Sequence, residues 1–368
     1  MRETLRGARR VLVKIGSRLL AEEPAMVERL CDDVAAVRAQ GIEVLIVTSG
    51  AIALGLSRLG WRTRPRDLPR LQAAAAVGQG QLMQRYDAAL RRHGLVPAQV
   101  LLTHDDVRHR GRYLAARHAL LCLLEAGAVP VINENDTVST AEIKFGDNDL
   151  LAALCTSLIE ADLLVILTDV DGLHAGDPRT GAPLLPLVRE ADQDLERAAG
   201  MAGGAGSALG TGGMASKVQA ARIAARFGVP TVVCSGLTER PLATVLDGQE
   251  RGTLFLPRQD RLQSRKHWIA YALRPQGYLF VDEGARRAVV EAGKSLLPSG
   301  IVRVEGDFEA GEAVAICDEG GVEFARGLCA YEAAAVRLIA GRHTSEVESI
   351  LGYKDTDEVI HRNDLVLL

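Results

Sequence analysis

Apolar and polar positions fall along the chain in short blocks whose period switches repeatedly. Arg9 to Ile15 (RRVLVKI) predicts a buried strand, and Val27, Leu30, Val34 and Val37 then recur at helical spacing until Gly41 stops the pattern. Glu43 to Val47 predicts a second strand, which Thr48-Ser49-Gly50-Ala51 turns into another helix. Leu71 to Met83 (LQAAAAVGQGQLM) is rich in small residues and predicts a closely packed helix. His104 to His118 is locally basic, but Asp105 and Asp106 among its arginines favour a solvated helix start over a nucleic-acid patch. Ala128 to Ile132 predicts a buried strand, Leu150 to Ile159 a helix, and Leu163 to Leu167 a further strand. An amphipathic helix ending near Phe227 leads to a late strand, Val229 to Cys234, and Arg251 to Phe255 closes the region. Strands alternating with helices predict an α/β fold with an open, mainly parallel sheet sandwiched by helices.

The pattern changes after Pro257. Residues up to Arg274 are rich in Arg, Lys and Gln, so a linker is placed at 258–275, between a larger domain at 1–257 and a smaller one at 276–368. Short alternating segments (Tyr278 to Val281, Ile301 to Val304, Ala313 to Ile316, Val322 to Ala325) predict a compact β-rich module. Val359 to Val366 reads as a last strand pair.

Composition narrows the class. A length of 368 residues accommodates two domains, and 48% hydrophobic with 24% charged residues is ordinary for a soluble globular protein. Six cysteines form no CxxC pair and no cluster with histidine, which predicts reduced core thiols rather than a metal centre. Lys14 interrupts the first apolar run, and Glu160 and Asp162 break the longest other one, so neither a signal peptide nor a membrane span is expected and the cytoplasm is the default location. Charge is uneven: residues 276–368 carry nine Lys and Arg against seventeen Asp and Glu, whereas the preceding 275 carry 34 against 30. A mildly basic larger part suits anionic small molecules. The acidic tail and an aromatic content of 4% argue against nucleic acid.

Chemistry-bearing residues concentrate in two places. Asn133 to Asp149 (NENDTVSTAEIKFGDND) holds Glu134, Asp136, Glu142, Asp147 and Asp149 with three asparagines and Lys144, delivered at the end of a predicted buried strand. Polar residues so placed line a site or form a solvated acidic loop; the EF-hand spacing and its glycine are absent. Gly203 to Lys217 (GGAGSALGTGGMASK) formally contains the GxGxxA dinucleotide fingerprint, but no strand leads into it and Thr231 to Cys234 lacks the ribose-binding acid. It reads instead as a mobile glycine loop that puts Lys217 at a helix N-terminus, an arrangement suited to terminal phosphates. Lys14, at the end of a buried strand, is costly there unless it meets an anion or snorkels at the edge. The strand–Gly50–helix turn aims free N–H groups at the same kind of ligand.

Taken together, VLVKIGS, VTSGAIALG, QAAAAVGQ, VINENDTVSTAEIKFGDND, LLTDVDGL and LGTGGMASK resemble, in family order over residues 9–256, the glutamate 5-kinases of the amino acid kinase family. The tail resembles a PUA domain. The resemblance implies a phosphotransferase that takes ATP, with Mg2+, and L-glutamate to L-glutamyl 5-phosphate, the first step of proline synthesis. It implies Lys14 and Lys217 on the migrating phosphoryl group, with Asp149 orienting both. Ser49, Asp136 and Asn148 would bind glutamate. Lys14, Thr168, Asp169 and the run Gly210, Thr211, Gly212, Gly213, Met214, Ala215, Ser216 and Lys217 would bind ATP. By the same resemblance the chain is a homo-oligomer inhibited by proline, functionally coupled to glutamyl-phosphate reductase. Two other classes compete. An RNA-binding or RNA-modifying protein is suggested by the tail alone. A catalytically dead amino-acid sensor would be expected to lack Lys14, Lys217 or Asp149, all of which are present.

Overall fold

The structure is a computed structural model and describes residues 2–23, 25–108, 110–139, 147–189, 200, 211–257, 275–354 and 356–368. The chain divides into two compact units, Met1–Arg258 and Gln259–Leu368. The expected linker at 258–275 lies outside the described residues except for Pro275.

The first unit alternates strands and helices: β1 (Arg10–Ile15), α1 (Ser17–Glu22), α2 (Met26–Arg38), β2 (Glu43–Val47), α3 (Ala51–Arg58), α4 (Leu68–Arg91) and β3 (Pro97–Leu102). It continues through α5 (His104–Arg108), α6 (Arg110–Glu125), β4 (Val129–Glu134), α7 (Asp147–Leu158), β5 (Leu163–Thr168) and β6 (Leu187–Arg189). It ends with α8 (Thr211–Arg226), β7 (Thr231–Ser235), α9 (Pro241–Leu246) and β8 (Thr253–Leu256). The strands form one eight-stranded sheet in the order β3-β4-β2-β1-β5-β7-β8-β6. All pairings are parallel except β7 with β8.

The central strands are apolar on both faces because both faces are covered. Val11, Val13 and Ile15 of β1 pack into one layer with Val34, Leu82, Tyr86 and Leu90 of α2 and α4. Leu12 joins Leu164 and Ile166 of β5 in the other layer, against Leu151 and Leu158 of α7 and Ala221 of α8. The helix predicted at Leu71 to Met83 runs further in both directions. Asp67 caps it by accepting from the Arg70 N–H, and Leu82, Tyr86 and Leu90 continue its buried face. It meets α3 along a seam of small residues: a Cβ on Gly78 would stand 1.8 Å from the Ala51 carbonyl oxygen, and one on Gly55 1.8 Å from that of Ala74.

The glycine-rich segment departs from its sequence reading. From Thr211 onward it is helix, so Gly212 and Gly213 lie in the first turn of α8 and Lys217 in the second. The first-turn N–H groups of a helix have no intrahelical partner, so glycines are tolerated there while Met214 to Lys217 propagate the helix. Gly210 and the rest of the proposed loop lie outside the described residues.

The second unit contains β9 (Gly277–Val281), α10 (Glu283–Val290), β10 (Ile301–Gly306), β11 (Ala313–Cys317), β12 (Glu323–Leu328), α11 (Ala333–Ile339), α12 (Val347–Leu351) and β13 (Leu365–Leu367). Its five-stranded sheet has the order β10-β9-β11-β12-β13, with β9 and β11 parallel and the other neighbours antiparallel. The strand pair predicted at Val359 to Val366 is not formed. Ile360 makes a single bridge to Leu296, a 3-10 turn follows at Arg362–Asp364, and only β13 is a strand. The His361 ring accepts from the Asn363 N–H and so turns the polar His-Arg-Asn-Asp run back on itself.

All six cysteines are free thiols and only Cys122 is exposed. Burial pushes Cys31, Cys155, Cys234 and Cys329 up to about 12, which leaves them unreactive core residues. Among the described residues no helix is long and apolar enough to cross a membrane.

Candidate active site

The parallel strands β1, β2, β4 and β5 end along one edge of the sheet. Their register aligns Lys14 with Val47 of β2 on one side and Ile166 of β5 on the other, and Val47 with Ile132 of β4. From β1 the chain passes to β2 on one side, and β5 lies on the other, so strand order reverses there. Ligands of open α/β sheets bind in that crevice.

Two lysines and one carboxylate occupy it. Asp149 sits in the first turn of α7 and is fully buried. Lys14 Nζ lies 2.5 Å from Asp149 Oδ1, and Lys217 Nζ lies 3.2 Å from Asp149 Oδ2. Ser216 donates from its hydroxyl to the same Oδ2 at 2.7 Å, and Lys217 donates to the Gly213 carbonyl at 2.9 Å. Strand β1 and helix α8 thus present their ammonium groups to opposite oxygens of one carboxylate. Burial alone would raise the Asp149 carboxyl. Lys14, Lys217 and the Ser216 hydroxyl more than offset it, and the carboxyl is held below its ordinary range. Burial lowers the Lys14 ammonium; Asp149 opposes the shift and Lys217 adds to it. The centre therefore carries two cations and one fixed anion, a net positive charge shielded from water and ready for an anionic ligand.

A second group adjoins it through the next residue along. Asn148 donates from Nδ2 to the Thr48 carbonyl at 2.8 Å, to Ser49 Oγ at 2.9 Å and to Asn133 Oδ1 at 3.0 Å. Thr48 shares a buried hydrogen bond of 2.8 Å with Tyr86 of α4. Ser49 and Gly50 form the turn between β2 and α3, and Gly50 takes φ +100°, a conformation that favours glycine. Asn148 is placed by α7 and Ser49 by the end of β2, so the hydrogen bond between them joins the two elements.

Asp136 lies beyond β4 in a turn closed by the Val138 and Ser139 N–H groups on the Asn135 carbonyl, at 3.2 Å each. Gln72 of α4 holds this turn by donating to the Ser139 carbonyl at 3.1 Å. Glu134 pairs with the His104 ring at 3.2 Å, Asp147 begins α7, and Glu142 lies outside the described residues. On the opposite flank Thr168 ends β5 and donates to Asp169 Oδ1 at 3.0 Å, while Arg18 of α1 pairs with Asp169 Oδ2 at 2.8 Å. Burial would raise the Asp169 carboxyl, but hydrogen bonds from Arg18 and Thr168 bring it below its ordinary value.

The structure therefore brings Lys14, Asp149, Ser216 and Lys217 into one contact group and Ser49 and Asn148 into its neighbour. Thr168 and Asp169 are paired to each other, not to the lysines. Gly213 faces solvent, Ala215 is half-buried, Met214 packs on the core layer beneath the sheet, and Thr211 and Gly212 belong to the first turn of α8. Sequence reasoning gave no role to Gln79, Asn133, Thr48, Tyr86 or Arg18. The only signal for Gln79 was a polar residue inside a run of alanines and glycines.

Residues 9–235 match the amino acid kinase family, and residues 277–351 match the PUA domain. The chain is 54% identical to the glutamate 5-kinase of Trichlorobacter lovleyi, over 100% of this chain and 99% of that one. It is 51% identical to that of Pelobacter propionicus, over 100% of both chains, and 51% identical to that of Geobacter sulfurreducens, over 98% of each. Among solved structures it is similar in fold to the N-acetylglutamate synthase of Neisseria gonorrhoeae, complexed with coenzyme A and N-acetyl-glutamate. The TM-score is 0.52 at 19% identity, covering 70% of this chain and 61% of that one. Full-length matches at about half identity, on a mainly parallel α/β sheet followed by a small β-rich module, place the chain in the glutamate 5-kinase family.

Proposed function

We propose that the chain transfers the γ-phosphoryl group of ATP to the side-chain carboxylate of L-glutamate, giving ADP and L-glutamyl 5-phosphate, the first step of proline synthesis. The observation that carries this reading is the buried Lys14–Asp149–Lys217 group lying directly beside the Asn148–Ser49 amide site. A glutamate side-chain oxygen attacks the γ-phosphorus, the bond to the β,γ-bridging oxygen breaks, and ADP leaves. The acceptor is already ionised at neutral pH, since a glutamate side chain titrates near ~4.3, so no general base is required. What the step requires is neutralisation of two converging anions and their alignment. Lys14 and Lys217 supply the charge, and Asp149 keeps both ammonium groups aimed at the space between them. Ser49, Asn148 and Asp136 hold glutamate, with Asp136 as partner for its ammonium. Thr168, Asp169 and the segment from Gly210 to Lys217 hold the nucleotide.

No group of three or more potential metal ligands occurs among the described residues, and both Asp149 oxygens face lysines. Such a donor set fits Mg2+ arriving on the ATP phosphates rather than in a protein cage, where the ion would screen phosphate charge. The residues assigned here precede Pro257, so 1–257 is assigned as the kinase domain, 258–275 as the linker and 276–368 as the PUA domain. A cytoplasmic homo-oligomer that passes its acyl phosphate to a reductase completes the reading. The test is ADP release from ATP by the full chain against a panel of amino acids. Glutamate-dependent release supports the assignment, and equal release without any amino acid would overturn it.

A further inference from the structure

We infer that Gln79 of α4 is an unassigned specificity residue, whose side-chain N–H donates to the α-carboxylate of the amino-acid substrate. This rests on the glutamate kinase reading and extends its acceptor site. The starting point is a chain of three amides, Gln79, Asn133 and Asn148, whose orientation is set by backbone groups at its middle and at its Asn148 end. Asn133 Oδ1 accepts from the Glu134 backbone N–H at 2.9 Å, so the other end of that amide is the donor. It donates to Gln79 Oε1 at 2.8 Å, which makes Nε2 the outward atom of Gln79. At the far end, Asn148 Nδ2 donates to the Thr48 backbone carbonyl at 2.8 Å, which leaves Asn148 Oδ1 as the outward atom there.

Both outward atoms, Gln79 Nε2 and Asn148 Oδ1, are buried and have no hydrogen-bond partner among the described residues. Buried polar groups are rarely left so, and two at one relay indicate partners that arrive with a ligand. One is a donor and the other an acceptor. An α-amino acid offers the complement, a carboxylate and an ammonium. Position along the relay decides which carboxylate Gln79 takes. Asn148 adjoins Asp149 and its two lysines, where the side-chain carboxylate must react, whereas Gln79 is two amide contacts further away. The end of glutamate remote from the phosphoryl group is the α-carboxylate. The glycines on either side of Gln79 leave its side chain room: Gly78 abuts the Ala51 carbonyl, and a Cβ at Gly80 would meet nothing within 4 Å.

The discriminating variant is Gln79→Glu, which keeps an oxygen for Asn133 to donate to and removes the donor aimed at substrate. The expected result is a glutamate KM raised about tenfold or more, the size of a lost hydrogen bond to a charged group, with the ATP KM and kcat within about threefold. Gln79→Ala should raise the glutamate KM as well. Calorimetric titration of glutamate into each folded variant gives the same comparison without turnover. A normal glutamate KM in Gln79→Glu overturns the inference, since a residue that merely supports Asn133 tolerates that change. So does a fall in kcat with both KM values raised together. Failure of the wild-type chain to release ADP with glutamate would instead overturn the function on which the inference rests.

Discussion

Replacing Asp149 by Asn is the sharpest perturbation of the phosphoryl centre, because it keeps the side chain's shape and removes the one anion between two cations. Lys14 and Lys217 would then face each other unneutralised, where they now stand 2.5 and 3.2 Å from separate oxygens of the carboxylate. Removing one member of a buried ion pair costs about 3–5 kcal/mol, part of which relaxes as one lysine sheds its proton or swings away. Loss of a preorganised charge at a transition state costs about 3–4 kcal/mol, so kcat should fall by roughly 100- to 1000-fold. Glutamate KM should stay within about threefold, because Asn148 and Ser49 are untouched. The pH profile supplies a second readout. Lys14 is already below its ordinary pKa through burial, with Asp149 opposing the shift and Lys217 reinforcing it. Without Asp149 the Lys14 proton is lost at lower pH, so the alkaline fall of kcat should move further toward neutrality. The measurement is steady-state hydroxamate formation with each substrate varied across pH, on protein shown to be folded by circular dichroism. A kcat within threefold of wild type, or an unmoved alkaline limb, refutes the role given to Asp149.

Asp136→Ala should raise the glutamate KM by roughly 10- to 150-fold, the loss of one charge-assisted bond, with the ATP KM unchanged. Equal rises in both KM values would make the turn after β4 structural. Gly78→Ala drives a methyl group into the Ala51 carbonyl and should destabilise the first unit by about 1–3 kcal/mol, read as a lower midpoint in urea. An unchanged midpoint would show that α3 and α4 separate at little cost. A chain ending at Pro257 should retain glutamate-dependent ADP release, and a folded but inactive product would show that the tail completes the site.

The sheet was legible because its strands are short apolar runs bounded by glycine and polar turns, as in VLVKI before Gly16 and EVLIV before Thr48. Lys14 could be singled out because a cation at the end of such a run demands an anion. What periodicity could not supply was pairing across distance. The resemblance alone implied that Asp149 orients both lysines; spacing does not say that Lys14 and Lys217, from β1 and α8, meet opposite oxygens of it, because that contact depends on how the helices close over the sheet. The acidic stretch misled in the opposite way. It reads as one cluster, yet Glu134 turns to His104 while Asp149 turns to the lysines, since residues on a strand end and a helix start face different neighbours. Gln79 stayed invisible among alanines because its meaning lies in an unpaired atom, which only packing reveals. The polar run after Ile360 predicts a strand because its flanking residues are apolar, whereas the His361 cap makes it a turn.

The central claim is that a side-chain oxygen of glutamate becomes bonded to the phosphorus of ATP. It is tested most directly by isotope transfer. Glutamate labelled with 18O in its side-chain carboxylate is incubated with ATP, the full chain and hydroxylamine, which attacks the acyl carbon of the product and releases inorganic phosphate. The account predicts phosphate carrying one 18O atom, formed in equal amount with ADP and glutamyl hydroxamate. Phosphate free of label, released at the rate of ADP, would mean that water and not the carboxylate receives the phosphoryl group, and would contradict the account.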